Sequence, residues 1–430
     1  MSNLIAARIT MGYTLAFHMI FAALGVAFPL LLVLANVAWL KTGKQEYLRL
    51  TKTWQKVVSV TFAIGAVTGT GLSFMLGLLW PSFMKLYGDT MGPAFQLEGF
   101  AFFIEAIFLG LYLYGWKRLS PGLHLFCGVM VGIGGAASAV LVQAANAWMQ
   151  HPVNIALVQT NPAAVPPFTT LFLNPYYWYL TIHGTIGCFA ATAFLVAGAY
   201  AWKLLKKPGS SLYQAGLKVA LSVGICAAAV LPLSGHLYAQ YLGKVQPAKL
   251  AAAEAHFVTG TNVPLLVGGF VDKEAGQVTG ALKIPGGLSF LAHDDFSAEV
   301  TGLDKFPKED WPNVTIVHYA FDIMVGCGML ILLAAVWYWG VVLFRKERLP
   351  RNLLRLLVVC FPLGIVAFEA GWMVTEIGRQ PWIVYGVMRT RDAVTQNNAL
   401  PVMWTYILVY GALMVATILI LRRIRHVEVE

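Results

Sequence analysis

Histidine and methionine side chains inside apolar segments are the first residues of this sequence that could do chemistry. His18 and His183 each stand within a long apolar run, and Met324 lies in a third run, "VHYAFDIMVGCGM". Imidazole nitrogen and thioether sulfur can both bind haem iron. A histidine in an apolar helix can equally be a hydrogen-bonding contact, and a methionine there usually fills the core. These residues alone leave ligation and packing open.

Carboxylates provide a second group of candidates. Glu98 and Glu105 occur in "QLEGFAFFIEAIF", seven residues apart, which puts them on one helix face about two turns apart. Such a pair could form a proton relay, an ion site or partners of a cofactor. The plainer alternative is an interhelical hydrogen bond that serves only packing.

The stretch "VTEIGRQPWI", residues 374–383, places Glu376 and Arg379 at the edge of another apolar run. Charged groups are costly inside a bilayer and are therefore functional candidates. The arginine could alternatively extend its guanidinium to the membrane surface.

The elements that must position these residues are membrane helices. Of the 430 residues, 58% are hydrophobic and 12% charged, against about 25% charged in soluble domains. Several apolar runs exceed the roughly 20 residues that cross a bilayer as a helix. We predict an all-α integral membrane protein, a single polytopic domain over 1–430. Its nine predicted spans are 12–40, 57–80, 93–116, 122–147, 176–202, 217–237, 315–344, 353–374 and 400–421.

The distribution of basic residues predicts the orientation of these spans. Lysine and arginine concentrate in the first, third, fifth and seventh connections and in the C-terminal tail, whereas the connection from Trp148 to Tyr177 has none. The positive-inside rule then puts the N-terminus outside and the C-terminus in the cytoplasm. The net charge of +10 thus reflects loop asymmetry rather than nucleic-acid binding. The long polar connection 237–314 is predicted to lie outside.

With this orientation, the candidate side chains fall at similar depth toward the outer face. No internal repeat is evident, which gives little support to an inverted-repeat transporter. The five cysteines make no close pair, so disulfides and a cysteine metal site are not expected. The pattern indicates a membrane protein with an outer-side cofactor, ion or proton site, and does not choose among these.

Longer motifs distinguish among these kinds of site. The segment "EAGWMVTEIGRQPW", residues 369–382, strongly resembles the signature of subunit I of the bacterial cytochrome bd quinol oxidases. Further similar motifs follow the family's order along nearly the whole chain. They are "FHMIFAALGV", "KTWQKVVSVTFAIGAVTGTG", "LEGFAFFIEA", "ANAWMQHP", "NPYYWYLTIHGT", "QPAKLAAAEAHF" and "AFDIMVGCG".

The resemblance implies three haems. His183 and Met324 match the axial ligands of a low-spin haem b, a pair that leaves no open position for oxygen. The residues that match the surroundings of a high-spin haem b and of the oxygen-reducing haem, usually haem d, are His18, Glu98 and Glu376. Trp372 is expected to pack at a haem. Arg379 is expected to balance carboxylate or propionate charge.

The resemblance also implies a reaction. Quinol, either ubiquinol or menaquinol, is expected to be oxidised at the outer loop, where Lys249 and Glu254 match the family's residues. Glu105 matches the glutamate of a proton route to the oxygen site, with Ser138 as a neighbour. Oxygen would be reduced to water with cytoplasmic protons, which generates a proton motive force without a pump. Subunit II, a small single-span subunit and membrane lipid are the expected partners in the bacterial inner membrane.

Two departures from the family's commonest pattern point to its cyanide-insensitive branch. Asp322 stands where arginine is usual, two residues before the methionine, and the outer loop is the short form. In that branch a further haem b can replace haem d. Two other functions remain as alternatives, a secondary transporter or channel that uses Glu98 and Glu105, and a membrane cytochrome b without oxygen chemistry.

Overall fold

The computed structural model describes residues 1–161, 164–344 and 349–427. Within these ranges nine helices are long and apolar enough to cross a membrane, which confirms the predicted all-α membrane fold. They are α1 (Asn3–Thr42), α2 (Gln45–Leu79), α3 (Pro81–Tyr114), α4 (Pro121–Gln150), α7 (Pro175–Lys206), α8 (Ser211–Val245), α11 (Val314–Leu343), α12 (Arg351–Ile377) and α14 (Leu400–Val427). The connections also contain the short helices α5 (Ile155–Thr160), α6 (Pro167–Phe172) and α13 (Thr390–Ala393). Residues 345–348, part of the basic seventh connection used to predict orientation, lie outside the described residues.

Local sequence signals explain where several of these helices begin and end. Ser120 and Ser210 precede α4 and α8, and their hydroxyl groups accept backbone N–H bonds of the first turn. Asn174 does the same for α7 through its side-chain oxygen. Gly43 ends α1 in the left-handed conformation, with φ 67°, which glycine adopts without steric cost.

The helices pack as a bundle around α1 and α7, whose apolar stretches are the most buried of the nine described spans. The helix α1 contacts α2, α4, α7 and α14, while α12 lies between α7 and α11. At the edge of the bundle, α14 packs on α1 and α2. There the hydroxyl of Tyr410 donates a hydrogen bond of 3.1 Å to the carbonyl of Thr68.

The long connection starts later than the sequence suggested. The sixth span was expected to end at 237, but α8 continues to Val245. The added turns carry Tyr238, Tyr241 and Leu242, which pack into the apolar core and extend the helix beyond the hydrophobic span. The connection therefore runs from Gln246 to Asn313.

Small elements fold this connection onto the bundle. The first is the short helix α9 (Pro247–Ala253), which begins with a proline, a residue that favours the first turn of a helix. Two antiparallel hairpins follow, in which β1 (Leu265–Val267) pairs with β4 (Leu282–Ile284) and β2 (Phe270–Asp272) pairs with β3 (Gln277–Thr279).

The end of the connection is held by a later hairpin. Helix α10 (Gly287–His293) and two 3-10 turns, Leu303–Lys305 and Lys308–Asp310, complete the connection. After α12, β5 (Trp382–Val384) pairs with β6 (Met388–Arg389). Arg389 then forms an ion pair of 2.6 Å with Asp310, which ties this hairpin to the connection.

Candidate functional site

His18 is held so that one ring nitrogen remains available. Its Nδ1 lies 2.9 Å from Thr68 Oγ1. The Thr68 hydroxyl already donates to the Ile64 carbonyl at 2.8 Å, so it accepts from Nδ1–H. The proton on Nδ1 leaves the Nε2 lone pair free, which is the form that binds iron. Gly69 makes room for the ring, since a Cβ there would lie 3.0 Å from His18 Cε1.

His183 repeats this arrangement on α7. Its Nδ1 lies 3.0 Å from Ser234 Oγ of α8, and that hydroxyl donates to the Leu231 carbonyl at 2.9 Å. The serine therefore accepts from Nδ1–H, and Nε2 is again the free nitrogen. Gly235 lies against the ring, where a Cβ would come within 3.2 Å of Cε1.

Met324 lies beside α12, where its neighbour is a glycine. A Cβ on Gly371 would approach the Met324 sulfur to 3.1 Å, so the missing side chain gives the thioether its space. The ring of Trp372, the next residue, makes an edge-to-face contact with Phe368, 6.5 Å between ring centroids. Because α12 packs on both α7 and α11, His183 and Met324 stand on helices that share one neighbour.

Glu98 and Glu105 both face α4, at different points along it. Ser138 was expected beside Glu105, but its hydroxyl donates to Glu98 Oε1 at 3.1 Å. Glu105 is only 5% exposed and packs where α4 has two glycines. A Cβ on Gly134 would lie 2.9 Å from the Glu105 backbone nitrogen, and a Cβ on Gly135 3.2 Å from Glu105 Oε1. The two helices thus pack closely against each other at Glu105.

Glu376 and Arg379 form the centre of a polar network at the loop end of the bundle. Arg379 Nη2 lies 2.6 Å from Glu376 Oε2. The other carboxylate oxygen of Glu376 accepts from the amide of Asn146 on α4. One turn along α4, Gln150 donates to the Thr375 carbonyl at 3.2 Å. These contacts tie the end of α12 to the end of α4.

Lys249 of α9 joins this network from the loop. Its side chain is 1% exposed, and its ammonium group donates to Gln150 Oε1. Burial, and secondarily the positive charge of Arg379, hold the pKa of Lys249 well below its ordinary value, while Glu376 opposes this shift. Gln246 anchors the start of α9 by donating to the Gln150 carbonyl at 2.8 Å. The buried lysine is therefore positioned by side chains of α4 and α12.

Arg379 retains unused hydrogen-bonding capacity. Its side chain is buried, yet Nε and Nη1 have no hydrogen-bond partner within the described residues. A buried guanidinium with unpaired donors is costly unless an anion binds there. A planar carboxylate matches the fork of guanidinium donors, so the site fits a haem propionate. Together with the free Nε2 atoms of His18 and His183, this donor set fits the haems that the sequence implied.

Glu254 forms a second polar cluster, on the other side of α9. It is 1% exposed, and its Oε1 has no hydrogen-bond partner in the described part of the chain. Burial, with a smaller contribution from the Asp322 charge, raises the pKa of Glu254 to about 8. Lys249 and Glu254 therefore contact different groups. This matches the angle of about 140° that their five-residue spacing predicts on a helix.

Sequence reasoning missed the amides of this site. Asn146 and Gln150 occurred in a quoted motif, but no role was given to either. A usable signal was present, because two amides four residues apart share one face at the end of an apolar helix. Gln246 carried no comparable signal, since it belongs to a loop whose path the sequence does not show.

Comparisons with known proteins find similar sequences along nearly the whole chain. The family model described as "Cytochrome bd terminal oxidase subunit I" matches residues 6–428. A putative cytochrome bd menaquinol oxidase subunit I of Bacillus subtilis (strain 168) is 36% identical, over 98% of this chain and 96% of its own. Cytochrome bd ubiquinol oxidase subunit 1 of the same strain is 34% identical, over 92% and 87%.

A solved structure is similar in fold as well. The bd oxidase from Geobacillus thermodenitrificans superposes with a TM-score of 0.91, at 35% identity. The match covers 99% of this chain and 98% of the matched chain. The helices and the loop elements described above therefore fall within one shared architecture.

Proposed function

Because the chain belongs to the family of cytochrome bd terminal oxidase subunit I, we propose that it is the haem-bearing subunit of a quinol:oxygen oxidoreductase. The membership confirms the family and enzyme class predicted from the motifs. With the nine described membrane-length helices, it also confirms a multi-pass protein of the bacterial inner membrane.

The observation that carries the proposal is that two histidines make the same kind of hydrogen bond. His18 and His183 each donate Nδ1–H to a hydroxyl group, which leaves Nε2 as the unprotonated ring nitrogen. His183 and Met324 would hold a low-spin haem b, and His18, Glu98 and Glu376 would surround a high-spin haem b and a haem d or a further haem b. When bound, these groups supply the electron path and the iron that binds oxygen.

The loop end of the bundle carries the two side chains proposed to act in quinol oxidation, Lys249 and Glu254. A quinol loses two protons with its two electrons, so a base must lie beside its hydroxyl groups. Glu254 is the proposed base, and Lys249 is proposed to hold a quinone oxygen or a haem propionate. Burial sets the pKa of Glu254 at about 8, close to working pH, where a general base is most effective.

Glu105 is proposed to conduct protons from the cytoplasmic side to the oxygen site. It lies two turns along α3 from Glu98 and, with the N-terminus outside, nearer the cytoplasm. Quinol protons released outside and substrate protons taken from inside separate charge without a pump. Ubiquinol or menaquinol is the proposed donor, since relatives are named for each. Subunit II is the proposed main partner, with a small single-span subunit and lipid around the bundle.

Purification of the complex followed by pyridine haemochrome analysis and oxygen-uptake assays tests this function. We expect Soret absorbance, three haems per complex, and oxygen uptake driven by a quinol analogue. A complex without Soret absorbance would instead favour a transporter or channel. Haem without quinol-driven oxygen uptake would favour a membrane cytochrome b.

A further inference from the structure

His318 is fully buried at the point where α11 meets the end of α9. Its Nδ1 lies 2.8 Å from the carbonyl oxygen of Ala253, the residue before Glu254. A carbonyl can only accept a hydrogen bond, so the proton of the neutral ring is on Nδ1. The backbone of α9 therefore fixes the tautomer of His318 and leaves Nε2 as a base.

The free Nε2 of His318 faces a carboxylate. It has no hydrogen-bond partner in the described part of the chain, and Asp322 Oδ2 lies 3.6 Å away. That same oxygen accepts the backbone N–H of Gly268, in the turn between β1 and β2, at 2.8 Å. A ring-nitrogen lone pair and a carboxylate oxygen at this distance repel each other while no proton lies between them. A proton on Nε2 would turn this repulsion into an ion pair.

The cluster also connects the buried interior with the surface. Glu254 is 1% exposed and His318 0%, whereas the side chain of Asp322 is 19% exposed beneath the loop. Glu254 and Asp322 are close enough for their charges to interact. On its own helix His318 has Asp322 and Tyr319 as titratable neighbours, with the Tyr319 ring 5.8 Å from the imidazole. From the end of α9 the neighbouring titratable residue is Glu254, which directly follows the Ala253 carbonyl that His318 binds.

We propose that His318 receives the quinol proton from Glu254, with Asp322 as the fixed negative charge that stabilises the imidazolium. This rests on the proposed function, because quinol supplies the proton. In the step, the O–H bond of the Glu254 carboxylic acid breaks and an N–H bond forms at His318 Nε2. Glu254 becomes a carboxylate, ready for the second quinol proton, and the two electrons of the quinol would be accepted by the haem that His183 and Met324 would hold. The proton on Nε2 then passes to water at the loop surface beside Asp322.

The test compares the purified complexes of the wild type and two His318 variants. His318→Asn keeps a donor near the Nδ1 position for the Ala253 carbonyl but has no base. His318→Ala leaves space for added imidazole. His256→Asn is the matched control, a loop histidine whose ring nitrogen bonds to the Val300 carbonyl at 3.2 Å. Oxygen uptake is measured with a quinol analogue and with a small artificial donor that reduces the haems directly.

For His318→Asn we expect about tenfold or greater loss of quinol-driven turnover, since general bases contribute at least that much. Uptake with the artificial donor and haem content should remain near wild type. Imidazole should restore part of the quinol-driven rate of His318→Ala, and His256→Asn should behave as wild type.

Two results would overturn the proposal. One is His318→Asn with normal quinol-driven turnover. The other is equal loss with both donors and no effect of imidazole, which would make His318 a structural residue. A wild-type complex that does not oxidise quinol would instead defeat the proposed function itself, so the two failures are distinguishable. If His318→Ala does not fold, the two-donor comparison of His318→Asn still decides.

Discussion

At the scale of single residues, the sulfur of Met324 can be tested as an iron ligand. Met324→Leu keeps the side-chain volume but removes the thioether. We expect the low-spin haem to become high-spin or to lose potential, because thioether ligation favours reduced iron. Optical spectra and a redox titration measure this. Met329→Leu on the same helix, a position 56% exposed, is the control. An unchanged low-spin spectrum and potential would remove Met324 from the site.

The buried carboxyl of Glu105 gives a second residue-scale prediction. Glu105→Gln keeps the shape but cannot ionise. Steady-state oxygen consumption should fall strongly, about tenfold or more by analogy with other proton-transfer groups. Reduction of the low-spin haem by quinol, followed by stopped-flow absorbance, should stay near normal. Glu46→Gln, at a half-buried position in the first turn of α2, is the control. Wild-type oxygen consumption would show that Glu105 is only a hydrogen-bonding group.

The effect of replacing Glu254 on oxygen uptake should depend on the electron donor. Glu254→Gln removes the proposed base, so oxygen uptake driven by quinol should fall, whereas uptake driven by a small artificial donor should not. Glu274→Gln, in an exposed turn of the same connection, is the matched control. Equal loss with both donors would assign Glu254 to folding or haem retention. No loss with either donor would make it an ordinary residue of the loop.

The same carboxyl should make stability depend on pH. Burial raises the pKa of Glu254 from 4.5 to about 8, so between these values the folded protein keeps a proton that the unfolded chain loses. The stabilisation is complete below pH 4.5 and is lost as the pH rises through 8, with a slope of at most about 1.4 kcal/mol per pH unit. Thermal unfolding of wild type and Glu254→Gln across this range measures it. Parallel curves would contradict the prediction.

At the scale of elements, the contact between α3 and α4 depends on a glycine. A Cβ at Gly134 would meet the Glu105 backbone at 2.9 Å, so Gly134→Ala must push the helices apart. Overpacking of this kind costs about 1–3 kcal/mol, and it should lower both thermal stability and turnover. Gly122→Ala, where no atom lies within 4 Å of the added methyl, is the control on the same helix. Equal stability of the two variants would contradict the close approach.

The helices also show how much of the fold can be predicted from the sequence. Hydrophobic length located all nine described spans, because a bilayer requires continuous apolar helices. It placed the end of α8 too early, since Tyr238 and Tyr241 continue the helix by packing rather than by hydropathy. Motif similarity identified the candidate site residues. The hydroxyl groups that bind His18 and His183 belong to Thr68 and Ser234, which lie on neighbouring helices. Such contacts have no signature in a single sequence.

At the scale of the whole molecule, the orientation remains a prediction that labelling can test. In a Cys226→Ser background, Lys273→Cys places a thiol in the long connection and Lys44→Cys places one between α1 and α2. A membrane-impermeant maleimide added to intact cells should label only Lys273→Cys, because basic connections stay in the cytoplasm. Both should react in detergent, which controls for accessibility. Labelling of Lys44→Cys alone would reverse the orientation.

The hydrogen bond from Tyr410 to the Thr68 carbonyl brings the last membrane-length helix of the described residues beside a proposed haem ligand. Thr68 orients His18, which belongs to the first helix, while Tyr410 belongs to the last. During synthesis α1 and α2 leave the ribosome long before α14. The surroundings of His18 are therefore complete only after α14 has packed against the bundle. We therefore expect stable haem insertion at His18 to follow termination of translation, and we expect chains shortened before α14 to accumulate without this haem.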